Sequence, residues 1–306
     1  MGRGYSAGMG YRFLTCDVFT DRRFGGNQLA VIPDASGLSD LQMQQITREF
    51  NYSESTFVLP STMGCNRRVR IFTPTAEIPF AGHPNVGTAF VLATIGELGD
   101  IKESTTVTFE EKAGTVPVVI QRQPKGFRCV LSAPKPLSIG SALDPAAVAA
   151  ALSISPADIV TTTHPPQLAS VGLPFVFAEV RDRSVLQKAR LNMNGFDALK
   201  AQGVHPDILF YTRSHDDFDI RARMFAPFDG VMEDPATGSA NCALGAMLAG
   251  YDAKRDGTIT YRIAQGVEMG RPSVLFAEAD KKAGNVIAAR IGGDSVLVTE
   301  GDLMLR

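Results

Sequence analysis

The chain has 306 residues, of which 44% are hydrophobic and 20% charged, and its formal net charge at pH 7 is −2. This length and composition are typical of a globular protein with room for two hydrophobic cores. The sequence has no basic stripe, and its longest apolar runs fall far short of the ~20 residues of a membrane span, so we expect no nucleic-acid partner and no membrane partner.

Cysteine usage favours a reducing compartment. The four cysteines are far apart and form no Cys-x-x-Cys pair, and the N-terminus lacks a basic-then-apolar signal. We therefore expect reduced thiols and a cytoplasmic protein. Residues 1–6 fit the loose N-myristoylation pattern, although the Gly-rich leader is more typical of a frayed end.

Strands and one capped helix precede the first motif. Residues 13–19 alternate as a strand does, and the pair Gly25-Gly26 permits a tight turn or bulge before a second strand. Residues 39–50 have helical spacing, with Ser39 or Asp40 near the start as the cap. Residues 51–60 are predicted as a turn that enters a strand. Further strands are predicted at residues 68–73, 105–109 and 115–120, the last two joined by a hairpin around residues 112–114.

Residues 121–126 combine Pro, Lys and Gly and predict a linker between two domains. We place the domains at residues 11–126 and 127–306, with the last strand, about 296–306, able to cross back to the first half. The second half repeats the plan, with helices at residues 144–152 and 196–202 and strands at 170–180 and 207–212. Its tail is predicted as short strands with turns at residues 284–285, 292–294 and 300–302.

Two similar motifs organise the sequence. Each places an ionisable residue before Pro-x-x-Gly and a long apolar segment, with His83 in the first motif matching Asp234 in the second. Upstream, residues 68–74 match residues 221–227 at an offset of 153, half of the chain length. The repeat predicts duplicated halves, each a strand-rich shell around one buried helix, after Gly87 and after Gly238. We expect the N-termini of these helices to converge at a cleft.

Four ionisable residues stand in unusual local settings. Glu54 lies in a Ser-rich turn before an apolar strand, where partial burial would raise its pKa toward the range useful for proton transfer; a turn carboxylate that accepts backbone hydrogen bonds is the alternative. His83 between Gly and Pro fits a positioned acid/base or a structural histidine, and Asp234 fits a catalytic group or a helix-start carboxylate. Glu77 is the weakest of the four.

The helix after Gly238 offers free backbone amides at its start, with Ser239 as cap or first-turn hydroxyl, and predicts a site for a carboxylate. Other motif readings fail on detail. The segment Thr237-Gly238-Ser239 lacks the frame of an aspartic protease or a hydrolase elbow, and no Gly-rich loop carries a P-loop lysine. No His pair has metal-ligand spacing, so we predict no metal site.

Four ordered motifs resemble the phenazine-biosynthesis PhzF-like isomerase family, and the similarity covers the chain from about Phe13 to the end. They are Asn-Tyr-Ser-Glu-Ser-Thr at residues 51–56, Ala-Gly-His-Pro at 81–84, Asp-Pro-Ala-Thr-Gly-Ser-Ala at 234–240, and Gln-Gly-Val-Glu-Met-Gly-Arg-Pro-Ser at 265–273. The resemblance implies the diaminopimelate-epimerase-like α+β fold, with two pseudo-symmetric domains, each an antiparallel barrel-like sheet wrapped around a central helix.

The resemblance also implies an isomerase that moves a proton on a small carboxylic acid. Glu54 would be the acid/base, assisted by His83 and Asp234. We expect no cofactor, and we leave a homodimer open. The expected substrate-binding residues are Asn27, Ser53, Gly82, Gly238 and Ser239.

Related epimerases and racemases use a pair of cysteines at the helix tips, whereas this chain has Asp234 at one such place and Cys242 about a turn into the helix. Two alternatives remain: an amino-acid racemase or epimerase that uses carboxylate and histidine, and a non-catalytic binding protein on the same scaffold. The substrate can be of the dihydro-hydroxyanthranilate type or amino-acid-like.

Overall fold

The computed structural model describes residues 10–305, so the N-myristoylation pattern lies outside the described residues. The chain divides into two compact units. Unit 1 comprises Gln28–Leu131 together with the flanking residues up to Phe24 and from Asp294 onward. Unit 2 comprises Gly25–Asn27 and Ser132–Gly293. Whether residues 11–126 and 127–306 form two independent domains stays a prediction.

Unit 1 is built from the first eight strands and two helices. In chain order these are β1 (Gly10–Val18), β2 (Asn27–Ile32), α1 (Asp40–Phe50), β3 (Glu54–Leu59), β4 (Arg67–Phe72), β5 (Glu77–Ile78), α2 (Gly82–Thr94), β6 (Ser104–Glu111), β7 (Gly114–Gln123) and β8 (Gly126–Ser132). Ser39 caps α1 through a reciprocal capping box with Gln42, as its Ser-x-x-Gln sequence predicts.

Unit 2 holds the remaining helices and strands, with the last strand only as far as Gly293. Its elements are β9 (Ser138–Ala142), α3 (Pro145–Ala151), β10 (Ile159–Val160), β11 (Gln167–Ser170), β12 (Pro174–Val180), α4 (Arg183–Lys188), α5 (Met193–Ala201), β13 (Ile208–Arg213), β14 (Ile220–Ala226), β15 (Val231–Asp234), α6 (Gly238–Tyr251), β16 (Gly257–Gln265), β17 (Ser273–Lys282) and β18 (Asn285–Met304).

The two units share one pairing plan. In unit 1, β2–β3 and β4–β6 are parallel and β3–β4 and β6–β7 antiparallel. In unit 2, β12–β13 and β14–β16 are parallel and β13–β14 and β16–β17 antiparallel. Each unit is therefore mixed and not purely antiparallel. The parallel pairs follow from the helices inserted between their strands, because parallel neighbours need a crossover connection.

Helices α2 and α6 are the central helices of their units. Both are apolar nearly all round, and from Gly82 to Ala93 every residue of α2 is buried. Helix α2 packs on β1, β3 and β7, and α6 on β11, β16 and β17. Gly87 lies where a Cβ atom would be 2.6 Å from Leu29 Cδ2 and 2.7 Å from Val18 Cγ2. This glycine lets α2 approach the sheet closely.

Each unit has a further core beside its central helix. In unit 1, Met43 and Ile46 of α1 join a buried cluster with Phe57 and Phe72. In unit 2, α3 and α5 contribute Val148 and Phe196 to a cluster that also contains strand residues of β12, β13 and β14. These clusters hold β3 and β13 in place, the strands at whose starts the ionisable residues described below are found.

The start of α2 corrects the sequence alignment. We expected the helix after Gly87, but it begins at Gly82, because Pro84 in the first helical turn needs no backbone donor. His83 thus lies within a helix, whereas Asp234 ends a strand before α6. The two residues are therefore not structural equivalents.

Local contacts give the repeat a better alignment. Arg70 forms a bidentate pair with Glu77, and Arg223 forms the same pair with Glu233. The arginines are 153 positions apart and the glutamates 156. The offset of 156 also relates the starts of the two central helices. There Asn85 and Asn241 each donate a hydrogen bond to the carbonyl four residues earlier, in both cases at 2.9 Å. The second copy therefore carries three extra residues between its arginine and its glutamate.

The predicted linker and two predicted turns lie within strands or hairpins. Residues 121–126, which we expected to link two domains, form the β7–β8 hairpin, in which Gln123 pairs with Gly126, and unit 1 continues to Leu131. Residues 292–294 lie inside β18, whose 20 residues run without a break through the predicted turns at 292–294 and 300–302. Pairing with a neighbouring strand along most of this length outweighs the local preference of glycine for turns. Among the described residues, no helix is long and apolar enough to cross a membrane.

Candidate active site

Glu54 and His83 meet inside unit 1. Glu54 Oε2 lies 3.4 Å from His83 Nε2, and their side chains are 17% and 7% exposed. Glu54 begins β3, and His83 lies in the first turn of α2. Within residues 10–305, Oε2 of Glu54 makes no hydrogen bond. The pair is therefore an almost dry carboxyl and imidazole, and the buried Oε2 of Glu54 has unused capacity to accept a hydrogen bond.

Local chain geometry explains this placement. Asn51 ends α1 in the left-handed conformation (φ 53°), which asparagine tolerates, and the chain then turns into β3. Two residues beyond Glu54 on the same face of β3, Thr56 Oγ1 lies 2.8 Å from Thr88 Oγ1 of α2. This buried bond joins strand to helix below the Glu54 and His83 pair.

Burial raises the pKa of Glu54 to about 7, and a hydrogen bond from the Ser53 side chain opposes the rise only in part. The carboxyl can therefore exist in both protonation states near neutral pH, as a group that first accepts and then returns a proton requires. Ser53 adjoins Glu54 as expected, and Gly82, the first residue of α2, is buried beside His83 in the sequence.

Asp234 is held by two hydrogen bonds within unit 2. Asn27 Nδ2 donates to Oδ1 at 2.9 Å, and Thr237 Oγ1 donates to Oδ2 at 2.6 Å. Asn27 Nδ2 also donates to the carbonyl of Ala236 at 3.0 Å. These donors fix the direction of the Asp234 carboxylate.

Gln265 completes this network. Its Nε2 donates to the Asp234 carbonyl at 2.7 Å and to Thr237 Oγ1 at 3.1 Å, and its Oε1 accepts from Asn241 Nδ2 at 2.6 Å. Gly266 follows at φ 73°, where a Cβ atom would collide with the carbonyl oxygens of Pro235 and Arg271. The motif at residues 265–273 therefore wraps closely around the Asp234 loop.

The start of α6 keeps its backbone amides available. Thr237 is the N-cap residue without a side-chain cap bond, since its hydroxyl is directed to Asp234. Ser239 is the second helical residue and half-buried, whereas Gly238 is buried. The prediction that Ser239 supplies a first-turn hydroxyl fits this placement. That the starts of α2 and α6 converge stays a prediction.

Sequence reasoning missed Thr237, Gln265 and Asn241 as parts of the Asp234 network. Thr237 and Gln265 stood inside quoted motifs, but nothing in the sequence indicated that their side chains meet. Glu111 was missed altogether: burial raises its pKa to about 8, with the Asn85 side chain opposing the rise. Glu77, by contrast, is a structural partner, because Arg70 and Lys112 both pair with it and hold its pKa below the usual range.

The cysteines give no support to thiol chemistry. All four are free, and Cys242 is buried in α6, where desolvation raises the pKa of its thiol to about 12. Cys16 and Cys129 are also buried, with pKa values raised by the same cause. A thiol that stays protonated at neutral pH is a poor base. The acid/base candidates are thus oxygen and nitrogen groups.

Known proteins resemble this chain over nearly its whole length. The family model described as phenazine biosynthesis-like protein (PhzC-PhzF) matches residues 16–301. An uncharacterized isomerase of Mesorhizobium japonicum is 37% identical over 303 residues, covering 96% of this chain and 98% of that protein. Trans-2,3-dihydro-3-hydroxyanthranilate isomerase of Pseudomonas fluorescens is 35% identical over 309 residues, covering 96% and 100%.

A solved structure gives the fold. The crystal structure of a PhzF-family phenazine biosynthesis protein from Bacillus anthracis matches with a TM-score of 0.87 at 24% identity, covering 97% of this chain and 99% of that one. The predicted α+β fold of two similar halves around central helices is confirmed. Fold and relatives together define the protein as an isomerase. More specifically, the chain belongs to the PhzF family of phenazine biosynthesis-like proteins.

Proposed function

We propose that this isomerase shifts a proton, without a cofactor, on a small carboxylic acid of the dihydro-hydroxyanthranilate type, and that Glu54 carries the proton. The observation that supports this most is the buried Glu54 carboxyl with a pKa of about 7 and one oxygen beside His83. The 35% identity to an isomerase of that substrate supports the substrate class.

The proposed reaction conserves atoms and electrons. Ionised Glu54 accepts a proton from a C–H group of the substrate, and the electron pair of that bond delocalises into the neighbouring unsaturated system. Protonated Glu54 then delivers the same proton to another carbon, and the carboxylate is restored. His83 stabilises the charge that develops near Glu54. Slow exchange with water keeps the proton on Glu54 between the two steps.

Substrate binding is assigned to the Asp234 loop and the start of α6. The amides of Gly238 and Ser239 and the positive end of the helix dipole attract a carboxylate, as we expected from the sequence. Asp234, fixed by Asn27 and Thr237, accepts a hydrogen bond from an amino or hydroxyl group of the substrate. Crystals soaked with anthranilate should show its carboxylate at these amides, whereas an anion found only on a distant basic surface would contradict the assignment.

The test compares Glu54→Gln with wild-type protein on trans-2,3-dihydro-3-hydroxyanthranilate, after dialysis against EDTA. We expect loss of kcat/KM by roughly 10²- to 10⁴-fold, because Gln keeps the shape of Glu but cannot accept the proton. The matched control is Glu111→Gln, which neutralises another buried carboxyl of raised pKa in unit 1 and should keep near-normal turnover.

Isotope exchange distinguishes a proton shift within one substrate molecule from epimerisation of an amino acid. In D₂O, a proton carried by one shielded carboxyl gives little deuterium in the product, whereas an epimerase acting on an amino acid would show inversion and exchange at Cα. Near-normal turnover of Glu54→Gln would refute the proton-carrying role. Loss of wild-type activity on dialysis would refute cofactor independence.

Two broader proposals accompany the activity. A cytoplasmic location agrees with four free cysteines, three of which, Cys16, Cys65 and Cys129, share unit 1 without bonding. Fractionation of the source cell would check it. The homodimer stays a prediction, and sedimentation equilibrium of the full chain would decide it.

A further inference from the structure

Unit 2 contains a cluster of three potential metal ligands that the proposed reaction does not use. His205, Asp207 and Asp229 each offer one ligand atom, and these atoms all lie within 4.8 Å of one another. His205 Nε2 is 3.4 Å from Asp207 Oδ2 and 3.2 Å from Asp229 Oδ1. We expected no metal site because the sequence has no pair of histidines at metal-ligand spacing. That criterion does not detect a cluster of one histidine and two carboxylates.

The backbone of unit 2 brings the three residues together. Asp207 immediately precedes β13, and its carbonyl accepts from the Val176 amide at 2.8 Å. Because β13 and β14 are antiparallel with Ile208 opposite Phe225, the start of β13 lies at the end of β14. There the 3₁₀ turn Pro227–Asp229 begins, and Gly230 closes it at φ 82°. The ligand positions are thus fixed by strand register and a rigid turn.

Asp207 is a buried carboxylate without full compensation. It is 5% exposed, and within the described part of the chain its Oδ1 has no hydrogen-bond partner. Asp207 Oδ2 and Asp229 Oδ1 both lie beside the single imidazole of His205, and two carboxylates close together in a poorly solvated place are costly unless a cation lies between them.

The repeat strengthens this observation. Asp207 lies 153 positions after Glu54, and both immediately precede equivalent antiparallel pairs, Ser55 with Phe72 and Ile208 with Phe225. The carboxyl at this position meets one histidine in unit 1. In unit 2 it meets a histidine and a second carboxylate, Asp229, which lies in the segment where the second copy carries its three extra residues. The two arrangements share only the position of the carboxyl, because at the offset of 153 His205 corresponds to Tyr52 and not to His83.

We propose that His205, Asp207 and Asp229 bind a divalent transition-metal ion of the Zn²⁺ class. Ligands about 2.0–2.2 Å from a tetrahedral Zn²⁺ are about 3.3–3.5 Å from each other, close to the two measured His-to-Asp distances. The side chains of His205 and Asp229 are 49% and 55% exposed, so water completes the coordination. The ion neutralises both carboxylates and ties the turn after β14 to the start of β13.

The test uses full-length protein stripped with EDTA and titrated with ZnCl₂. Isothermal titration calorimetry should show one Zn²⁺ ion bound per wild-type chain. Asp207→Asn should bind Zn²⁺ at least tenfold more weakly. The matched control is His215→Ala, an exposed histidine of unit 2 outside the cluster, which should bind Zn²⁺ as wild type does. In the ¹H–¹⁵N spectrum of the four imidazoles, Zn²⁺ should shift His205.

Thermal unfolding shows whether Asp207 binds the metal ion or only contributes to the folded structure. We expect Zn²⁺ to raise the Tm of wild-type protein by several degrees. Without metal, Asp207→Asn should unfold at the same or a higher temperature than wild type, since the like-charge contact is gone, yet Zn²⁺ should not stabilise it. The proposal is overturned if wild type shows no Zn²⁺-dependent shift, if Asp207→Asn binds equally well, if His215→Ala loses binding, or if Ca²⁺ binds more tightly than Zn²⁺.

Discussion

Burial of the Glu54 carboxylate lowers the free energy of unfolding near neutral pH, and the proposed proton transfer requires this buried group. Its pKa rises from the ordinary 4.5 to about 7 because folding removes the carboxylate from water. Below pH 4.5 the carboxyl is protonated in both the folded and the unfolded chain, so no cost arises. Between pH 4.5 and 7 the folded state binds more protons than the unfolded state, and stability falls as pH rises.

We therefore predict that Glu54→Gln is more stable than wild type at pH 8 and equally stable at pH 4. The upper limit of the gain is about 3 kcal/mol, from a shift of roughly 2.5 units at 1.36 kcal/mol each. Urea denaturation at the two pH values checks this. An equal difference at both pH values would mean that packing, and not ionisation, separates the two proteins.

Thr237 acts through Asp234 as a positioning residue. Its hydroxyl donates to Asp234 Oδ2 and accepts from Gln265 Nε2, and Val would keep its shape while removing both bonds. We predict that Thr237→Val lowers kcat/KM by roughly tenfold or more, because a hydrogen bond to a charged group is worth about 1.5–3 kcal/mol. Steady-state kinetics measure the change.

The control for this prediction is Thr237→Ser, which retains the hydroxyl and should restore most of the lost activity. If Ser and Val are equally impaired, the methyl group of Thr237 matters and the bond to Asp234 does not.

At the scale of single elements, α2 depends on a glycine that helix propensity disfavours. Alanine at Gly87 would gain about 1 kcal/mol of propensity, but its Cβ atom would overlap Leu29 and Val18. We predict a net loss of roughly 1–3 kcal/mol for Gly87→Ala, measured by urea denaturation.

The matched control is Gly250→Ala in α6, where the nearest atom to the added Cβ is Leu137 Cδ2 at 3.8 Å. That variant should be neutral or more stable. Similar destabilisation by both substitutions would contradict the packing argument and point to the helix backbone instead.

Elements with strong local signals could be predicted from the sequence, and elements that depend on distant pairing could not. The Ser39 cap specified α1, and apolar character all round specified α2 and α6. The uninterrupted β18 could not be foreseen, since its glycines signal turns until a partner strand is known. Likewise, Glu54 and His83 were recognisable as candidates, whereas the Thr237 and Gln265 network depends on side chains meeting across separate loops.

At the scale of the whole molecule, β18 belongs to both compact units. Residues 295–304 pair with β1 in unit 1, and residues 285–292 pair with β17 in unit 2. We predict that deletion of residues 294–306 destabilises unit 1 selectively, because β1 loses a neighbour along nine residue pairs and becomes an exposed edge.

Hydrogen exchange measures this effect separately in each unit. Amides of β3 and α2 should exchange much faster in the truncated chain, while those of β16 and β17 keep their protection. Equal loss in both units would show that the chain unfolds as one cooperative body, and unchanged exchange in β3 would show that β1 needs no partner.

The carboxyls of Glu54 and Asp207 can be compared directly, because they occupy matching positions in the two copies of the repeat. They differ in side-chain length and neighbours, yet both come directly before the equivalent antiparallel pair in each copy, and burial is the first cause of the raised pKa in each. The common factor is the backbone framework, which withdraws water from that one position. Either unit therefore provides a carboxyl of raised pKa at this position, and the side chains around it differ between the units.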